Sequence, residues 1–369
     1  MTRPTLAVAA LVALLGSPGQ AQAPPGLGRV RPSRDGAHFV REGGEGRFVA
    51  WGFNYDHDDA GRLLEDYWER EWGTVAEDFR EMKALGANVV RIHLQLGRFM
   101  KDAERPDEGN LGRLAALVRL AEATGLYLDV TGLACYHKGD VPRWYDALEE
   151  SARWEVQARF WKAVAGACRG STAVFCYDLM NEPIISGGDD PKDWLPGKPL
   201  GGKHFVQRIA IDPKGRDDRE IARSWVARLA AAIRSVDDRA MITVGVIPWA
   251  QVFEGARPLF YAPEVCGPLD FASIHFYPRK GKLDADLAAL KVYEVGKPLV
   301  VEEIFPLGAG PEETEAFIAR TQGQVDGWIS FYWGKSIEDS AKKGDIGGAL
   351  TADWLRRFRS LSPDKPGDR

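Results

Sequence analysis

Two apolar runs in this chain finish on acids: one ending Tyr177-Asp178-Leu179-Met180-Asn181-Glu182-Pro183, the other Pro298-Leu299-Val300-Val301-Glu302-Glu303. Both read as buried strands, so each delivers a carboxyl group at a strand's C-terminal end. In a barrel of parallel strands all such ends open onto one face, and two acids far apart in sequence can flank a single bond there. The chemistry such a pair offers is displacement at an anomeric carbon. A protonated carboxyl releases the leaving oxygen, while an ionised one about 5 to 5.5 Å away attacks with retention. Asn181, beside Glu182, supplies an amide for the sugar 2-hydroxyl, a contact that strengthens in the transition state.

On the second run, Glu302 and Glu303 compete for the role, and the two-residue period of a strand chooses between them. Glu303 shares a face with Leu299 and Val301. If that face lines the barrel, Glu303 projects into the cleft and Glu302 points toward the helices. Other strand ends carry polar residues that a packed core does not need: Arg91 with His93, and His275 with Tyr277. An arginine there keeps a nucleophilic carboxylate ionised, and a tyrosine hydroxyl can donate to it. Trp333, at the end of the last strand, is expected to form the floor under one sugar.

Positioning these residues takes eight βα units, and eight are countable. Short apolar runs ending near Tyr55, Leu94, Thr131, Met180, Val246, Phe276, Glu303 and Tyr332 alternate with amphipathic stretches, the signal for a parallel sheet covered by helices. Stripes such as Phe79, Met82 and Leu85, or Ile221, Trp225, Leu229 and Ile233, are core packing. Gly86 and Gly125 read as helix stops. Ahead of the barrel, Phe39-Val40 and Phe48-Val49-Ala50 around Gly43-Gly44 predict a small hairpin capping its bottom. The expectation is one α/β domain over residues 24–369, a (β/α)8 TIM barrel with an N-terminal β-hairpin and long βα loops. Those loops, 56–73, 134–149, 184–217 and 334–348, carry Tyr67, Trp68, Trp72, Trp144, Tyr145 and Trp194, which as a group suggest a sugar-lined groove.

Residues 1–23 combine Arg3, an apolar stretch from Leu6 to Leu15 and a small-residue site at Ala21-Gln22-Ala23, which reads as a cleaved signal peptide. The mature protein is therefore expected to be secreted or periplasmic, without a membrane anchor, and a monomer. With 48 basic against 53 acidic residues there is no electrostatic footprint for nucleic acid or an anionic membrane. Cys135, Cys168, Cys176 and Cys266 permit disulfides without specifying a pairing. The cluster Asp56-His57-Asp58-Asp59 invites a metal reading, but adjacent residues cannot all converge on one ion; a solvated loop contacting substrate is the simpler account.

Taken in order, Arg91, Asn181-Glu182-Pro183, His275-Phe276-Tyr277, Glu303 and Trp333 make the chain resemble the cellulase-type family 5 glycoside hydrolases, within the clan of retaining (β/α)8 enzymes. The likeness spans nearly the whole mature chain. It implies that Glu182 is the acid/base and Glu303 the nucleophile, that Arg91, Asn181, His275, Tyr277 and Trp333 bind around them, and that no cofactor is needed. Two departures stand out. The residue before the second glutamate is usually small, and here it is Glu302. Many members also end strand three on a histidine, where this chain has Thr131; His137 could replace it from the loop, and Asn54 joins the wall after strand one. The substrate expected is a β-linked polysaccharide or oligosaccharide of the β-1,4-glucan or β-mannan type. A metal-dependent barrel hydrolase and a non-catalytic carbohydrate-binding barrel are the alternatives.

Overall fold

Eight parallel strands close the ring that this alternation requires. The computed structural model describes residues 26–185 and 192–363, so the segment read as a signal peptide lies outside the described residues. The strands are β1 (Ala50–Tyr55), β2 (Val89–Gln95), β3 (Tyr127–Ala134), β4 (Val174–Asp178), β5 in two pieces (Met241–Thr243 and Gly245–Val246), β6 (Ala272–His275), β7 (Leu299–Ile304) and β8 (Gly327–Ser330). Neighbours pair in chain order and β8 returns to β1. The first piece of β5 pairs with β4 and the second with β6, so the ring closes through Val244. Buried backbone groups at that seam still need partners. Tyr261 supplies them: its hydroxyl donates to the Val244 carbonyl and accepts from the N–H groups of Ser273 (2.8 Å) and Val244 (3.3 Å).

The helices form where the apolar stripes require them. Helix Asp218–Arg234 starts at Asp217, whose carboxylate accepts from the Arg219 N–H, and buries Ile221, Trp225, Leu229 and Ile233 against the barrel. Helix Trp72–Ala84 buries Val75, Phe79 and Met82. Gly125 ends helix Glu108–Thr124 at φ 73°, a left-handed turn that glycine adopts without steric cost. Gly86, likewise at positive φ, follows the helix that ends at Ala84.

At the bottom, the expected hairpin gains a third strand. Val30–Pro32, Phe39–Arg41 and Arg47–Phe48 form an antiparallel sheet, and Ala50 belongs to β1 instead. Phe39 plugs the barrel, meeting Phe175 and Phe271 edge-on at 5.3 and 5.2 Å. Burying a side chain of that size stabilises by roughly 1.5–3 kcal/mol.

The long loops on the opposite face carry short helices, Leu64–Tyr67, Arg143–Asp146 and Ile337–Lys342. These aromatics pack inward, so among the described residues they do not line the sugar groove expected of them. Tyr67, Trp68, Tyr145 and Trp194 are buried, and Trp72 and Trp144 lie partly buried against the core. The Arg153 guanidinium stacks on both Tyr145 (3.8 Å) and Trp194 (4.3 Å), which holds that loop together from within. All four cysteines are buried and unpaired.

Candidate active site

Arg91 organises the mouth of the barrel. Its position on β2, fully buried, leaves a guanidinium that must find partners for its N–H groups. One terminal nitrogen donates to Glu303 Oε1 (2.7 Å) and Asn54 Oδ1 (3.0 Å); the other donates to Asp178 Oδ2 (2.8 Å) and Asn181 Oδ1 (2.9 Å). Asn54 is spent on this brace, since its amide also donates to the backbone carbonyls of Glu302 (2.9 Å) and Ser330 (3.3 Å). It is fully buried and supports Arg91 rather than lining the cleft as expected.

Glu303 is gripped from two sides. Arg91 holds one oxygen, and the Tyr277 hydroxyl donates to the other at 2.6 Å. Burial pushes the Glu303 carboxyl above its usual range, while His275, Arg91 and the Tyr277 hydrogen bond pull the other way. Glu182 sits at φ 46°, a conformation that costs a side-chain-bearing residue roughly 1–2 kcal/mol. The turn is held by its N–H, which donates to the Gly245 carbonyl at 3.0 Å. Its side chain is 17% exposed, against 7% for Glu303, and its Oε1 meets His275 Nδ1 at 2.9 Å. A carboxyl oxygen of each glutamate and a ring nitrogen of His275 all lie within 4.8 Å of one another. Burial opposes charge on His275, yet Glu303, the hydrogen bond to Glu182 and the Glu302 carboxylate 3.5 Å away raise the ring to about 10, so it is an imidazolium at neutral pH.

The expectation for Glu302 is overturned by a bulge. Ile274 on β6 pairs with Val301, but His275 pairs with Glu303, so one extra residue interrupts the alternation on β7. Glu302 therefore faces the barrel interior with Glu303 instead of the helices. It is fully buried, 3.5 Å from both Arg91 and His275.

Two further expectations change. Trp333 is buried, donates its indole N–H to Asp78 (3.0 Å) and packs edge-on against Phe53, so it faces the outer helix layer. Regular β8 ends at Ser330, and the aromatic beside Tyr277 is Phe331, with ring centroids 6.5 Å apart. His137 is half-buried and lines a separate cavity of about 210 Å³ with Leu63, Gln95 and Cys135, away from the Arg91 cluster. The histidine absent from strand three is not replaced by it. Thr131 donates to Asp178 (2.9 Å), and the nearby Tyr136 hydroxyl bonds His93. Burial and Arg91 hold His93 well below the usual range, so it is neutral, with Nε2–H assigned to Asn54 Oδ1 at 3.1 Å.

Asp178 is a residue that sequence reasoning quoted without assigning a role. Its second oxygen accepts from the Gly245 N–H at 2.8 Å, tying β4 to β5 beneath Glu182. Burial and the charge of Glu302 push its carboxyl up to about 6. The signal was available: an acid inside an otherwise apolar strand needs a buried partner. Also unforeseen is a groove of about 430 Å³ beside Glu182, lined by Pro183, Ile184, Val246, Trp249, Phe253 and Phe260. Trp249 and Phe253 are 39% and 58% exposed there. The Asp56–Asp59 cluster does not converge. Asp56 pairs with His57 (2.8 Å), Asp58 with Arg62 (2.7 Å), and Asp59 with Lys335 (2.7 Å) and Lys343 (3.1 Å).

A closed (β/α)8 ring with two adjacent carboxyls at its C-terminal face, braced by arginine, histidine and tyrosine, defines a class: barrel hydrolases of glycosidic bonds. The family model for cellulase (glycosyl hydrolase family 5) matches residues 52–304. This chain belongs to that family and is a glycoside hydrolase. It is 22% identical over 357 residues to a mannan endo-1,4-beta-mannosidase A of Aspergillus aculeatus, covering 84% of each chain. Among solved structures it resembles the beta-1,4-mannanase of the sea hare Aplysia kurodai (TM-score 0.61, 15% identity, 91% of this chain and 98% of that one). It also resembles an exo-beta-1,4-mannosidase from Opitutaceae bacterium strain TAV5 (TM-score 0.64, 17% identity, 90% of this chain and 62% of that one).

Proposed function

We propose that the protein is a secreted or periplasmic retaining β-glycosidase acting on β-1,4-linked mannan or its oligosaccharides, with Glu182 as acid/base and Glu303 as nucleophile. The observation that carries this reading is the approach of the two carboxyls, whose oxygens lie within 4.8 Å. That separation suits direct attack by one carboxylate; a water-activating pair stands about 6.5–9.5 Å apart. Glu303, held by Arg91 and Tyr277, attacks the anomeric carbon and forms a glycosyl ester as the C–O bond to the leaving group breaks. Glu182 gives its proton to the departing oxygen. Water then attacks the ester, Glu182 takes its proton, and Glu303 leaves as a carboxylate. Asn181, whose amide also donates to the Phe205 carbonyl at 3.0 Å, stands next to Glu182 where a 2-hydroxyl would sit. The mannan assignment draws on the mannanase relatives, and the groove at Trp249 and Phe253 offers ring faces to sugars on the leaving-group side.

The test is hydrolysis of β-mannans, β-glucans and aryl β-glycosides by wild type, Glu182→Ala and Glu303→Ala, with azide rescue and analysis of the product anomer. Loss of activity in both variants, release of the retained anomer, and a β-glycosyl azide from Glu182→Ala are the expected results. An inverted product, or near-normal activity in Glu303→Ala, would overturn the mechanism. A panel in which β-glucan is preferred would replace the substrate.

A further inference from the structure

Directly beneath the two glutamates lies a second pair of carboxyls that the mechanism above does not use. Asp129 on β3 and Glu302 in the β7 bulge are fully buried in the barrel, where their oxygens and the Cys176 Sγ lie within 4.8 Å of one another. Among the described residues, none of the four carboxyl oxygens has a hydrogen-bonding partner within ordinary geometry. Two carboxyls so close in a dry core repel each other when both are ionised, which favours keeping one of them protonated. Their surroundings decide which. Glu302 Oε2 stands 3.5 Å from Arg91 Nη2 and 3.5 Å from His275 Nε2, and these cations outweigh burial and hold its carboxyl down to about 2. Burial and the Glu302 charge push Asp129 well above the usual carboxyl range, leaving it the neutral member. Space for the arrangement comes from Gly245, where a Cβ would lie 2.6 Å from Glu302 Oε2 and 2.7 Å from His275 Nε2.

We propose that Glu302 is a positioning residue: ionised beside a protonated Asp129, its carboxylate faces Nε2 of His275 across 3.5 Å and keeps that ring doubly protonated, so that Nδ1–H always points at Glu182. The inference rests on Glu182 being the acid/base. Four charged groups face the ring: Arg91 from β2, Glu182 from the turn after β4, and Glu302 and Glu303 from β7. Because Nδ1–H occupies Glu182 Oε1 at 2.9 Å, the acid proton of Glu182 must sit on its other oxygen, the one left for the leaving group. A neutral His275 could instead present a lone pair at Nδ1 and draw that proton away from the substrate.

The experiment is NMR of enzyme labelled with ¹⁵N at histidine, with His275 assigned by loss of its signals in His275→Gln. In wild type at about pH 8 both His275 ring nitrogens should show imidazolium shifts, although a free histidine is neutral there. In Glu302→Gln the ring should titrate to its neutral form by that pH. With the fold checked by thermal melting, kcat should fall about tenfold while KM changes less than about twofold. Asp129→Asn, which replaces one neutral group by another, should keep the imidazolium signature. A neutral His275 in wild type overturns the proposal even if Glu302→Gln does not fold. So does an unchanged ring in Glu302→Gln, or an Asp129→Asn that neutralises the ring as fully as Glu302→Gln. The ring is read without substrate, so its state and the acid/base role of Glu182 fail separately.

Discussion

The two ends of the barrel are built from the same eight strands and held together by opposite physics. At the bottom, Phe39, Phe48, Tyr127, Phe175, Phe271 and their aliphatic neighbours form an apolar plug. At the top, Arg91, Asp178, His275, Glu302 and Glu303 are charged or titratable and buried. The plug tolerates approximate packing because dispersion is summed over many small contacts. The charged end is set by a balance: it crowds more acids than cations, so losing one carboxyl relieves repulsion, whereas losing a cation leaves carboxylates desolvated and unpaired. Stability should thus be separable from activity along the barrel axis.

The largest effect should come from Glu303→Ala, which is expected to lower kcat by roughly 10⁴-fold or more with the melting temperature kept or raised, because a crowded buried acid is removed. Kinetics beside a thermal melt checks it; a large loss of stability would show that the charged end also holds the fold. Phe39→Ala should do the reverse, costing about 3–5 kcal/mol in denaturant unfolding while kcat per folded molecule stays within about twofold. A fallen kcat there would couple the two ends.

Between these lies a pH dependence. Glu65, buried beside Gln95 and accepting its N–H at 2.8 Å, is raised by burial to about 7. A carboxyl raised on folding binds its proton more tightly in the folded chain. Its stabilising share is full below the unfolded value near 4.5 and is lost as pH rises through about 7. Asp178, raised to about 6, acts in the same direction. Relative to Glu65→Gln, the wild type should therefore lose about 1–3 kcal/mol of unfolding free energy from about pH 5 to pH 8, a comparison that cancels the opposite slope of the depressed His93 below about pH 6.5. A pH series of urea melts on both proteins decides it; a wild type that gains on the variant as pH rises would contradict the sign. The smallest effect is expected for Trp249→Ala, a rise in KM of about three- to tenfold on mannan oligosaccharides with kcat little changed, reflecting about 0.5–1.5 kcal/mol of ring contact. No change in KM for any chain length would place the groove outside the substrate path.

Much of the architecture was legible because it is written in local periods. Most strand ends, the helix stripes and the stops near Gly86 and Gly125 depend on neighbours a few residues away and were readable, although β3 runs on to Ala134 and β8 stops at Ser330. The Arg91, Asn181, Glu182, His275, Tyr277 and Glu303 set was readable for a related reason: each sits at a predicted strand end. What escaped depends on departures from period. The bulge at Glu302 has no signature in Val300-Val301-Glu302-Glu303-Ile304, since it arises from pairing with β6 and β8. Among Phe331, Tyr332 and Trp333 the choice turned on where β8 stops, and Asp78, which claims the Trp333 indole, is 255 residues away in sequence. Asn54 was read as a cleft residue because a polar side chain at a strand end looks the same whether it meets substrate or braces an arginine.

The four buried, unpaired cysteines give the folded barrel a built-in clock. Burial pushes the Cys168 and Cys176 thiols up, so in the native state each is both out of reach and un-ionised. An alkylating reagent can react only through opening, and the sites differ in how much must open. Cys176 lies in β4 at the centre of the ring, whereas Cys266, 8% exposed, sits in the loop ahead of β6. Labelling resolved by mass spectrometry would time the loosening of each sector, with Cys266 modified first and Cys176 only when the whole ring comes apart.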